Sequence, residues 1–252
     1  MRGGRSPHSQ SRCAIYRLVD GAVNSKRTGI RYLPFTAQEL HELPLVISAP
    51  RFATYLQAMG NDREKALQLY QWNLEVSSAL IVPLQICEVA IRNGVAEAIE
   101  QVHGPNWPWT NGFIRSLPRP RRHTDYNPAT DLTRCASVLP TTGKIIAELK
   151  FAFWEKIFTA GQDQRMWNTH FRTFFPGAPT NRSVADCRAA AHSDLRSIRK
   201  LRNRIAHHEP IFTRDIADEY HRIHEMIAWR NAVAASWMDC RQSVLTLIQA
   251  RP

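Results

Sequence analysis

Residues 183–212, SVADCRAAAHSDLRSIRKLRNRIAHHEPIF, decide how this chain reads. At about 100° per residue, Ala191, Leu195, Ile198, Leu201 and Ile205 fall on one stripe of a helix. Asn181-Arg182-Ser183 supplies a start, and Glu209-Pro210 a stop, because the residue before a proline avoids helical angles. The spacing predicts one long helix ending near His207. Arg202 falls inside the apolar stripe, whereas Arg196, Arg199, Lys200 and Arg204 take the other faces. A guanidinium placed there needs a partner, or it borders a cleft or an interface. Asn203 and His207 are four apart and share a face. His207 lies about 140° around the axis from Arg202, close enough for a long arginine to converge on it at a helix end.

Helical periodicity continues on both sides. Ser48-Ala49-Pro50 is a start, with a capping serine and a proline in the first turn, and Gly60-Asn61 is a stop. A longer pattern runs from Asp62 to about Val102, with Pro83 expected to kink or interrupt it. Residues 104–142 hold six prolines and the basic trio Arg119, Arg121 and Arg122. They read as a long connection with a short helix near Phe113–Leu117, either an insertion or an RNA-contacting lid. One helix is expected from Lys144 to Phe158, another over 163–175, and more from Asp215 to Ile248. No strand alternation is visible, so the expected fold is all-α.

The 252 residues are 44% hydrophobic and 22% charged, enough to bury a substantial core. No run approaches the ~18 uninterrupted apolar residues of a membrane span. Residues 1–33 are basic and rich in Gly, Ser and Arg, without a continuous apolar core. They read as a disordered arm rather than a secretory signal, and residues 34–252 as a single domain in the cytoplasm. Five dispersed cysteines suit reduced thiols and form no metal motif. The net charge of +11 suits a polyanionic partner, nucleic acid foremost, and equally suits a protein that is merely soluble and basic.

Three segments together resemble the Abi-like (abortive-infection) family of the HEPN superfamily. The first is LRNRIAHHEPIF, residues 201–212, with Arg202, Asn203, three residues and then His207. The second is LQICEVAIRNGV, residues 84–95, with Glu88 followed by Arg92-Asn93. The third and looser one is GKIIAELKFAFWEKIF, residues 143–158. The resemblance implies a HEPN-type helical bundle with extra helices that pairs as a homodimer, the two Arg–His motifs meeting at the interface. It implies a metal-independent endoribonuclease of phage defence or of a toxin, with an antitoxin or other defence protein as a further partner. Some members of the family only bind RNA or protein. A related branch carries a tyrosine two residues after the histidine. Glu209 stands there in this chain, so that branch's regulation is not carried over.

The residue types suit the chemistry. RNA carries its own nucleophile, the 2′-hydroxyl, and an imidazole is the natural base to take its proton. Arginine meets the charge that develops on the phosphate with forked hydrogen bonds. The expected catalytic set is therefore Arg202, Asn203 and His207, with Glu88, Arg92, Asn93 and His208 in support. A two-fold dimer would supply a second histidine as the acid. No acidic cluster suits two-metal cleavage, and no cofactor is expected. Other readings compete for the same residues. Arg202 to His207 can be a polar network bracing helices, and Glu88 and Arg92 a supporting pair four apart. His221 and His224 lack a third ligand, and Trp107 and Trp109 read as loop anchors more than base-stacking platforms.

Overall fold

A computed structural model describes residues 34–252; the arm assigned to residues 1–33 lies outside them. The described residues are helical, with no strand among them. The all-α expectation holds.

The axis of the fold is α3, Arg63–His103. Its start follows from Asp62, whose carboxylate accepts from the Lys65 amide at 3.0 Å. Of the kink or interruption expected at Pro83, the interruption does not occur: the helix runs on through it. A proline inside a helix costs roughly 3 kcal/mol. Here the residues around it, Leu80, Leu84 and Cys87, are all buried in the core, and their packing outweighs that cost.

Before it stand α1, Ala37–Ile47, and α2, Ala49–Ala58. The first is absent from the sequence reading, although its capping box is plain: Thr36 and Glu39 exchange side-chain and backbone bonds. Ser48 ends one helix and begins the next at φ 80, and its hydroxyl makes no capping bond, contrary to the expected role.

The proline-rich connection is more ordered than the sequence suggests. It holds a short 3₁₀ turn, Trp107–Trp109, then α4, Asn111–Ser116, and α5, Pro128–Val138. Asn127 caps α5 and Pro128 opens it, so one of the prolines of this stretch starts a helix. Trp107 is fully buried and Trp109 donates to the Ala136 carbonyl at 3.0 Å, so both anchor the loop.

The helix expected from Lys144 to Phe158 is two: α6, Thr142–Glu148, and α7, Phe151–Ile157, with extended angles at Leu149 and Lys150 between them. The bend lets Phe151, Phe153, Trp154, Ile157 and Phe158 all reach the core. A π-helical turn, Asp163–Trp167, leads into α8, Asn168–Phe174. The long α9, Val184–Ala206, starts on Ser183 as expected. Then come α10, Ile216–Arg230, α11, Ala232–Asp239, and α12, Val244–Gln249.

Helices α2, α7, α8, α9, α10 and α12 all pack on α3. One 18-residue window of α3, mean hydropathy 1.7, is long and apolar enough to cross a membrane by composition, and only 33% of it is buried. Its outer face leaves Leu74, Ile81, Val82 and Val89 exposed. That bare face borders the candidate site.

Candidate active site

The C-terminus of α9 folds back on itself. The His207 amide donates to Asn203, the His208 amide to Ile205 and the Glu209 amide to Arg204, at 2.9, 3.0 and 2.8 Å. Closing the helix this way puts His208 at φ 55, a left-handed cap usually given to glycine. Arg204 secures the turn, donating twice to the Pro210 carbonyl at 3.1 and 2.7 Å. The chain then drops onto α3, where the buried Asn73 accepts from the Ile211 and Phe212 amides at 2.8 and 3.2 Å.

This reversal turns His208, rather than His207, toward α3. A groove of about 470 Å³ runs between the two elements. From α3 come Leu74, Ser77, Ser78, Ile81, Leu84, Gln85 and Glu88; from the end of α9 come Arg202, Ile205, Ala206 and His208. Arg202 finds the partner its place on the stripe demands: its Nε lies 3.8 Å from Glu88 Oε2, an ion pair too long for a hydrogen bond. Both ends remain wet, with 48% of the arginine side chain and 28% of the glutamate exposed.

The expected residues divide three ways. Glu88, Arg202 and His208 line the groove. His207 caps α9 on the exposed surface outside the groove lining, and its side chain has no hydrogen-bond or ion-pair partner among the described residues. Asn203 is half-buried on the face it shares with His207. Of the second set, Arg92 pairs with Arg202's partner only in sequence: Glu88 turns to α9 instead, and the buried Arg92 Nε is left without a hydrogen-bond partner. Asn93 is exposed and away from the groove lining.

A second, smaller cavity of about 150 Å³ opens beside His208. It shares Leu74, Ser77, Ile205 and His208 with the groove and adds Arg51, Tyr55, Tyr70, Asn73 and Glu209. Tyr55 and Tyr70 meet edge to face at 5.2 Å. Burial first, then the neighbouring Tyr70, pushes the Tyr55 phenol up to about 12, while Arg51 pulls the other way. Sequence reasoning missed this wall, because no spacing links α2 to the end of α9.

A different carboxylate anchors the middle of α9. Glu155 on α7 is 1% exposed and is held by Arg199, with Lys156 Nζ at 3.6 Å and His192 Nε2 at 3.9 Å. Burial, the largest cause, holds His192 below the ordinary imidazole range. Among the described residues no group of three or more His, Cys, Asp or Glu side chains is arranged to hold a metal. His221 and His224 instead face Glu225 and Asp239, at 3.8 and 2.9 Å.

No protein-family model, curated protein or solved structure matches this chain.

Proposed function

We propose that this protein is a metal-independent endoribonuclease of the HEPN type, cleaving RNA by attack of the 2′-hydroxyl on the adjacent phosphate. The observation that carries this reading is the meeting of Glu88 on α3 with Arg202 on α9 at the mouth of a groove that also holds His208. Two of the segments that resemble the Abi-like family lie 114 residues apart in sequence at these positions and converge in space (202 − 88).

In this reading Arg202 binds the phosphate and stabilises its developing charge. Its pair with Glu88 is loose and half exposed, so a phosphate can take over the guanidinium at small cost. A histidine removes the 2′-hydroxyl proton, the hydroxyl oxygen bonds to phosphorus, and the 5′-oxygen leaves with a proton from a second acid. The products are a 2′,3′-cyclic phosphate and a 5′-hydroxyl. His207 lies outside the groove of its own chain, so it acts where a second copy brings the two α9 ends together. The bare Leu74, Ile81, Val82 and Val89 on the outer face of α3 are an apolar surface suited to that copy. The biological setting in this reading is phage defence or a toxin held by a partner protein.

A second reading also has an observation behind it. Arg202 is tied to Glu88 and His207 stands apart from it, which suits a module that binds RNA or protein without cutting. The two separate on incubation of the full chain with total and transfer RNA in chelator, beside Arg202→Ala and His207→Ala. Cleavage lost in both variants supports the nuclease. RNA binding without cleavage supports the binding module.

A further inference from the structure

We infer that the small cavity beside His208 is a subsite for one pyrimidine base of the RNA strand; this rests on the RNA-cleaving reading of the adjoining groove. Size comes first. The cavity measures about 150 Å³. A cavity of about that volume takes a single six-membered aromatic ring such as benzene. A pyrimidine is one such ring, and the fused rings of a purine exceed the space.

The lining suits a flat polar heterocycle better than a hydrocarbon. Tyr70 is partly exposed and offers a ring on which a base stacks, and the buried Tyr55 closes the floor behind it. Asn73 spends its oxygen on the Ile211 and Phe212 amides, so its NH₂ is what remains to meet a ring carbonyl. Uracil and cytosine both present such a carbonyl at O2. Ser77 adds a hydroxyl on the wall shared with the groove, and Arg51 adds an exposed cation at the rim.

Continuity supplies the rest. His208 lies on the walls of both cavities, so a base seated against Tyr70 places its sugar over His208 and its phosphate toward Arg202. The subsite thereby gives the groove a direction and a base preference. Its three contributing regions are α2, the middle of α3 and the turn after α9.

The test is calorimetric titration of the full chain, in chelator, with 3′-UMP, 3′-CMP, 3′-AMP and 3′-GMP. The two pyrimidine nucleotides are expected to bind about tenfold tighter than the two purine ones, and Tyr70→Ala to lose about that factor while Tyr70→Phe keeps it. Should Tyr70→Ala not fold, Ser77→Leu fills the cavity from the shared wall and is expected to lose the same preference. Equal affinity for all four, a purine preference, or indifference to both substitutions would overturn the subsite. The same samples separate it from the nuclease reading. Arg202→Ala is expected to end cleavage and to weaken all four nucleotides alike, leaving the preference for the two pyrimidines. Pyrimidine binding with no cleavage by the unaltered chain keeps the subsite and sinks the nuclease. Cleavage without base preference does the reverse.

Discussion

Helix α9 is tied to its neighbours by two glutamate–arginine pairs less than one turn apart, and they differ in nearly every respect. Glu155 is buried, closely held by Arg199 and backed by Lys156 and His192. Glu88 is partly wet, and its Arg202 partner sits at 3.8 Å beside an open groove. The first geometry holds helices together: a carboxylate taken out of water is costly unless several cations answer it. The second leaves a guanidinium only loosely engaged, which is what a site that receives phosphate needs. Residues of identical type on one helix thus separate by solvent access into a brace and a candidate reaction centre.

The largest expected effect lies on the buried side. Arg199→Ala leaves Glu155 short of its main cation and is expected to cost on the order of 3 kcal/mol, lowering Tm by roughly 6–12 °C. A shift below about 2 °C in a thermal melt would break the contrast between the two pairs. Next in size is Arg202→Ala, expected to cut RNA cleavage about 100- to 1000-fold with stability unchanged within about 0.5 kcal/mol. An equal loss of stability and activity would make Arg202 a second brace.

A smaller effect follows from His192. Its imidazole is held below 6.5, so the folded state takes up its proton later than the unfolded chain does as the pH falls. The stability tied to neutral His192 is complete above about pH 7 and is lost as the pH drops through the lowered value. Chemical denaturation at pH 7.5 and 5.5 should show the unaltered chain losing more stability than His192→Gln, and parallel losses would remove His192 from the brace. The smallest effect belongs to Glu88→Gln. Stability should change by no more than about 1 kcal/mol, and RNA affinity should rise a few-fold as one negative charge leaves the groove. Weaker RNA binding in a filter assay would instead make Glu88 the residue that positions Arg202.

The sequence displays those parts of the fold that rest on local periodicity. The stripe from Ala191 to Ile205, the Ser183 start and the stop before Pro210 locate α9 almost to the residue. Asp62 and Gly104 bracket α3 equally well. Tertiary packing overrides local signals at two places: α3 continues past Pro83 without interruption, and Leu149–Lys150 breaks a pattern that looks continuous. The site is legible to the same degree. The position of Arg202 on an apolar stripe announces a partner or a cleft, and it has both. What periodicity could not show is the left-handed turn at His208, which exchanges the two adjacent histidines between surface and groove. Nor could it show the Asn73 amide that fixes the chain after the turn.

The length of α3 has a consequence for how the molecule is made. Its apolar window leaves the ribosome about 80 residues before α9 begins and longer still before α10 and α12, which add to its partial cover. At ~5–20 residues per second, that interval is roughly 4–16 s. For that time α3 lacks the cover of α9, α10 and α12, and the nascent chain carries half of a groove, with no arginine to face Glu88. A chain stopped before α9 should therefore stay soluble only with chaperone present, and one that is freely soluble alone would show that the early helices suffice. Assembly order itself withholds the site until the C-terminal end of α9 has been translated.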